Sequence, residues 1–247
     1  MSRQISFNFI HEKHSLRILD LFSGCGGLSY GFMAEGFHVI AGIDNWNDAL
    51  MTFEKNHPGA KTFIKDLGNC NPQELKKEIG EIDIVIGGPP CQGFSISGKR
   101  DPNDSRNRLY QGFVKIVKFF KPKAFVLENV PNLVSMAGGQ IKDSIISDFN
   151  SLGYDVKHKV LLASDYGVPQ NRKRVVFVGM LDKNVFEFPT GDFADSKSKV
   201  TCSQALSDLP EASVDDGASY TTKSKSVYQE LMRKHSKEYL ETLTPYQ

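Results

Sequence analysis

Seven short apolar runs, spaced through residues 17–180, set the terms on which this chain can fold. They read RILDLF, HVIAGID, KTFIKD, IDIVIGG, AFVLENV, DVKHKVLLA and RVVFVGM. Most are continuous rather than alternating, the pattern of strands covered on both faces. Amphipathic stretches accompany the first five. One opens at Gly27, one near Trp46 and one near Pro72; the others are LYQGFVKIVKFF and QIKDSIISDFNSLG. Strand alternating with helix predicts an α/β fold, a mostly parallel, doubly wound sheet with helices on both faces. Only SDYGVPQNRK separates the last two runs, too little for a crossover helix, so an antiparallel last strand is expected.

The texture divides the chain into a tail (1–16), an α/β domain (17–182) and an irregular extension (183–247). The extension is rich in Ser, Asp, Ala and Lys. It offers a short helix at CSQALSDL and a final helix at VYQELMRKHSKEYLETL, with Tyr228, Leu231, Tyr239 and Leu243 as apolar anchors. No run approaches eighteen apolar residues, and the first fifteen residues hold no apolar signal core, so a cytoplasmic protein is expected. The four cysteines, Cys25, Cys70, Cys91 and Cys202, form no CxxC pair and have no histidine at ligand spacing, so no metal site is expected. A net charge of +1 speaks weakly against gripping duplex DNA. Basic residues nevertheless cluster at Lys99, Arg100, Arg106 and Arg108, and again at Arg172, Lys173 and Arg174.

The first run ends in DLFSGCGG and turns directly into a helix. Glycines there permit a tight turn and let backbone amides approach a ligand. Asp44 closes the second run about twenty residues on, where a carboxylate can accept from ribose hydroxyls. Asp66 closes the third, within reach of an adenine amino group. By themselves these residues fit a nicotinamide dinucleotide, S-adenosylmethionine or a purely structural turn. The missing GxGxxG spacing disfavours the first.

The fourth run leads into GGPPCQGFSISGKR, placing Cys91 behind two stiff prolines at a strand's carboxyl end, where open α/β sheets bind ligands. A rigid turn is an odd place to bury a small hydrophobe. Glu128 ends the fifth run, LENV, as a charge on an otherwise apolar strand. Arg172 and Arg174 open the last run, and period-two alternation points both to one side. Taken singly, Glu128 could be a solvated strand end and the arginines an exposed edge that resists aggregation.

Together, DLFSGCGG, GGPPCQGFS, DSRNRL, LENV and QNRKR, in that order over roughly residues 17–180, resemble the signature blocks of the DNA cytosine-5 methyltransferases. The resemblance implies a Rossmann-like, S-adenosylmethionine-dependent methyltransferase fold. It implies Cys91 as a nucleophile on carbon 6 of a flipped-out cytosine. It implies Glu128 as the acid at the exocyclic amine and ring nitrogen 3, and Arg172 and Arg174 as the basic pair near the base. Implied cofactor contacts are Phe22, Gly24, Cys25, Gly27, Asp44, Asn45, Asp66, Leu67, Gly88, Pro90 and Leu109. The family's Glu-Trp pair after the second strand stands here as Asp44-Asn45, with Trp46 one place later. Implied phosphate contacts are Ser95, Ser97 and Arg106, on a loop from Gly93 to Arg108 that closes over DNA.

The family's recognition region and its last blocks are not visible. A second polypeptide supplying them, as in a split bacterial restriction-modification methyltransferase, is therefore expected beside duplex DNA as partner. The alternatives are a tRNA cytosine-5 methyltransferase of the same family, a truncated inactive homologue, a nucleotide-dependent oxidoreductase and a non-catalytic binding module.

Overall fold

The structure is a computed structural model that describes residues 16–90, 108–181, 186–195, 197–209 and 222–233. The chain divides into two compact units. One is Met1–Val160 with Arg174–Pro189, the other Leu161–Lys173 with Thr190–Gln247.

All seven runs form strands of one sheet: β1 (Arg17–Leu21), β2 (His38–Asp44), β3 (Lys61–Ile64), β4 (Ile84–Gly87), β5 (Ala124–Asn129), β6 (Tyr154–Leu162) and β7 (Lys173–Leu181). Their order is β3-β2-β1-β4-β5-β7-β6. Strands β1 to β5 pair in parallel, and β7 runs antiparallel to β5. The chain runs outward from β1 to β3, then returns to place β4 on the other side of β1. The carboxyl ends of β1 and β4 therefore flank a switch point, where a crevice opens in this topology.

Alternate residues of each strand feed two cores. Leu19, Leu21, Ala41, Ile43, Val85, Phe125 and Leu127 face α3 (Pro72–Ile79), α4 (Arg108–Phe120) and α5 (Gln140–Asn150). Ile18, Val39, Ile84 and Ile86 face the other way and are covered by Leu50 and Phe53 of α2 (Asn47–Asn56), with Leu28, Phe32 and Met33 of α1 (Gly27–Ala34) beside them. Covering on both faces is why the runs are continuous instead of alternating. A third patch joins Ala124, Val178 and Met180 to Phe186 and Phe188.

The Asn71 side chain caps α3 by accepting from the Gln73 amide (3.0 Å), and Pro72 takes the first helical position, where its missing N–H costs nothing. In the second unit, α6 (Cys202–Leu206) opens on a Thr201–Gln204 capping box. Residues 227–233 are helical, and Arg233 is held by the buried carboxylate of Asp208 at 2.6 Å. Tyr239, Leu243 and most of residues 1–16 lie outside the described residues. No helix of the described residues is long and apolar enough to cross a membrane.

Candidate active site

Beyond Leu21 the chain leaves β1 through an abrupt turn. Phe22, Gly24 and Gly26 all take positive φ, at 56°, 51° and 87°. A left-handed backbone is natural for glycine and strained for a phenylalanine, so Phe22 is held there by its surroundings. Asp44, at the end of the neighbouring strand, supplies part of that hold. Its Oδ2 accepts from the Gly24 amide (2.9 Å) and its Oδ1 from the Trp46 amide (3.0 Å). Each carboxylate oxygen keeps a further lone pair for a ligand hydroxyl. Gly27 opens α1, Cys25 is exposed, and Asn45 is exposed beside Asp44.

Asp66, two residues past β3, is likewise committed. Its Oδ1 accepts from the Gly68 amide (3.0 Å), while Oδ2 accepts from Asn69 (3.2 Å) and meets the Arg108 guanidinium at 2.8 Å. Leu67 is buried beside it, and Leu109, half-buried, starts α4 after Arg108. The expected cofactor residues thus fall along the carboxyl edge of β1–β4. They lie there because the ends of parallel strands share one side of the sheet.

At the end of β4, Gly88 and Pro90 lead out of the sheet, with Pro89 buried between them. Glu128, on the adjacent strand, lies against Gly88: a Cβ built on Gly88 would come within 3.1 Å of Glu128 Oε2. Arg174 Nε donates to Glu128 Oε1 at 2.6 Å, with both side chains about a third exposed or less. The antiparallel register brings them together, because β5 pairs Glu128 with Val176, and Arg174 stands two places before Val176 on β7. Arg172 precedes that strand. The strand begins at Lys173, and Arg172 is exposed, its carbonyl accepting from Ala163 (2.9 Å) within the second unit. Cys91, Ser95, Ser97 and Arg106 lie outside the described residues.

Three polar residues around these turns have partners or surroundings that a reading of motifs alone does not give. Asn129 is buried, donates to the Pro89 carbonyl (2.8 Å) and accepts from the Val130 amide (2.8 Å), so it ties the two-proline turn to β5. Arg108 holds Asp66. Asp20 is fully buried in β1, where burial pushes its carboxyl up to about 7, partly offset by hydrogen bonds from Ser29. A charge inside RILDLF was the available signal for Asp20. Nothing local distinguishes Asn129 from the rest of LENV. Among the described residues no cluster of histidine, cysteine and carboxylates is built to hold a metal ion.

Comparisons with known proteins bear on the family and the fold. Residues 16–245 match the family profile of the C-5 cytosine-specific DNA methylases. The chain is 40% identical over 232 residues to the type II methyltransferase M.DdeI of Desulfomicrobium norvegicum, covering 90% of this chain and 55% of that one. It is 43% identical over 180 residues to M1.HphI of Haemophilus parahaemolyticus, covering 71% and 48%. The chain thus spans about half the length of these relatives. A crystal structure of a prophage-encoded protein from E. coli, titled a DNA modification methyltransferase, superposes with a TM-score of 0.67 at 33% identity, covering 80% of this chain and 56% of that one. A Spodoptera frugiperda DNMT2 variant shares the fold, with a TM-score of 0.61 at 22% identity over 81% of this chain and 61% of that one.

Proposed function

The chain belongs to the C-5 cytosine-specific DNA methylase family, and on that footing we propose that it is the catalytic part of a DNA cytosine-5 methyltransferase of a bacterial restriction-modification system. Duplex DNA is the substrate, and one cytosine is flipped out to reach the site. The observation that carries the reading is the Glu128–Arg174 pair, held at 2.6 Å beside the Gly88–Pro90 turn that runs directly into Cys91.

Carbon 5 of cytosine is a weak nucleophile. When the Cys91 thiolate adds to carbon 6, Glu128 delivers a proton to ring nitrogen 3, and the ring becomes an enamine with its electron density on carbon 5. Arg174 orients Glu128 and faces the base carbonyl, while Arg172 adds positive charge nearby. S-adenosylmethionine supplies an electrophilic methyl on sulfur. Held at this edge, the cofactor would give that methyl to carbon 5 and be left as S-adenosylhomocysteine. A base then removes the carbon-5 proton, and the Cys91–carbon 6 bond breaks to restore the aromatic ring. The residues present fit the cofactor: Asp44 keeps free lone pairs, and Phe22, Gly24, Cys25, Gly27, Asn45, Asp66, Leu67, Gly88, Pro90 and Leu109 surround the same edge. Ser95, Ser97 and Arg106 hold phosphates.

The test is covalent capture on a 5-fluorocytosine duplex with S-adenosylmethionine, using the 247-residue chain with and without co-purifying polypeptides. Cys91→Ser gives no adduct, because an alcohol is far less ionised than a thiol, and Glu128→Gln traps far more slowly. Capture by Cys91→Ser at the unaltered rate would exclude the nucleophile. Capture on tRNA in place of duplex DNA would favour the tRNA reading.

A further inference from the structure

Beneath the Ser23–Gly27 turn lies a buried polar cluster that the proposed chemistry does not use. His57, the residue after α2, is 1% exposed, as is Asp20, and Ser29 between them is fully buried. His57 Nδ1 lies 3.0 Å from the Phe53 carbonyl and Nε2 lies 3.1 Å from Ser29 Oγ. Ser29 also bonds Asp20 through both its hydroxyl and its amide. Asp20 Oδ2 has no partner among the described residues.

The hydrogen count of this cluster is constrained. A peptide carbonyl only accepts, so Nδ1 carries the hydrogen that goes to Phe53. In a neutral ring, Nε2 then accepts, and its one neighbouring donor is the Ser29 hydroxyl. That hydroxyl has one hydrogen, and both Asp20 and the Gly26 carbonyl (3.2 Å) face the same oxygen. If Asp20 were ionised beside a neutral ring, three acceptors would compete for one hydrogen. A proton on Asp20 relieves that competition: as an acid Asp20 donates to Ser29, whose own hydrogen serves His57 Nε2 and the Gly26 carbonyl. The isomer with an imidazolium and a carboxylate has the same proton count but buries two charges, the costlier arrangement. Burial accordingly raises the Asp20 carboxyl and lowers the His57 imidazole.

The ring also bears on the turn. A Cβ on Gly26 would fall 2.2 Å from the His57 ring, so the Gly26 backbone rests directly on it. The ring is stacked on Phe53 at 4.1 Å between centroids, and the preceding residue, Asn56, donates to the Cys25 carbonyl at 3.2 Å. Two consecutive turn residues are thus braced by the end of α2.

We propose that His57 is a positioning residue for the cofactor: locked as the Nδ1–H tautomer between Phe53 and Ser29, its ring sets the height of the Ser23–Gly27 turn on which S-adenosylmethionine sits. The proposal rests on the reading of that turn as the cofactor site. It explains why the strained Phe22 backbone persists, because the turn is fixed from below by His57 and from the side by Asp44.

Three measurements on the 247-residue chain test it. S-adenosylhomocysteine affinity is measured by calorimetry for the unaltered chain, His57→Gln, His57→Asn and Ser29→Ala. Gln reaches the Nε2 position and keeps an acceptor for Ser29, whereas Asn keeps only the donor toward Phe53. Affinity should fall about tenfold in His57→Asn and Ser29→Ala, and within about threefold in His57→Gln, the size of a lost buried hydrogen bond. Thermal unfolding of each variant shows that it is folded. Nitrogen-15 spectra of the imidazole should show the neutral Nδ1–H tautomer. Binding by the unaltered chain with undiminished affinity in folded His57→Asn overturns the role of His57 alone, as does an imidazolium or Nε2–H signature. Absence of binding by the unaltered chain overturns the reading of the turn and the role of His57 with it, while the tautomer is still read separately.

Discussion

Replacing Asn129 probes how the strand edge holds the turn before the nucleophile. Its side chain makes two hydrogen bonds, to the Pro89 carbonyl and from the Val130 amide, each at 2.8 Å, and it is 5% exposed. Asn129→Ala leaves both backbone groups without a partner. An unpaired buried polar group costs roughly 1–3 kcal/mol, and Val130 is half-exposed and can recruit water, so the sum is about 2–4 kcal/mol. For a chain of this size each kcal/mol lowers Tm by about 2–4 °C, so a fall of roughly 4–16 °C is expected. Asn129→Asp separates stability from positioning. It keeps the acceptor for Val130 but turns an oxygen toward the Pro89 carbonyl, pushing the two-proline turn away. A displacement of about 1 Å at a reacting group costs a factor near a hundred. Urea unfolding and single-turnover methyl transfer to duplex DNA are the measurements. If Asn129→Asp kept both the unaltered stability and the unaltered turnover, the tie between Asn129 and the Cys91 turn would be wrong.

Gly179→Ala places a Cβ 1.9 Å from the Phe125 ring in the sheet core, which cannot be relieved by a flexible chain end, and should cost at least about 1–3 kcal/mol in urea unfolding. Asp20 has a raised folded-state value of about 7 against 3.8 in the unfolded chain, so the stability linked to its proton is full below about pH 4 and is lost as pH rises through 7. Asp20→Asn should therefore gain on the unaltered protein between pH 5 and about pH 8 in denaturant titrations; a constant difference across that range would contradict a buried acid. His57, lowered by burial, works in the opposite sense, losing stability as pH falls below the unfolded value of 6.5, which is why the difference between the two proteins is the quantity to follow. Arg174→Lys keeps the charge but not the Nε–H aimed at Glu128, so turnover should fall about tenfold or more with S-adenosylhomocysteine affinity unchanged; unchanged turnover would remove Arg174 from the site.

Much of the architecture was legible because a parallel sheet covered on both faces writes itself as continuous apolar runs. All seven runs became strands, and the last of them is antiparallel, as expected, in its pairing with β5. Helix starts were legible where local chemistry sets them, as at Gly27 and Pro72. The extension was harder, because short polar segments carry little periodicity; the helix expected over CSQALSDL stops at Leu206. The site was legible as blocks of residue types, since strand ends are marked by a charge or a glycine closing an apolar run.

Partnerships between those blocks were not legible. Period-two alternation put Arg172 and Arg174 on one side of a strand, but the strand begins between them, and only Arg174 meets Glu128. That choice depends on the β5–β7 register, which no segment encodes by itself. His57 under Gly26, Asn129 on Pro89 and Arg108 on Asp66 are pairings across 31, 40 and 42 residues of chain. Local sequence dictates backbone preference and burial through interactions within a few residues. Hydrogen-bond partners across the sheet are selected only when the strands assemble, because an orphaned buried polar group is too costly to leave and many arrangements could satisfy it.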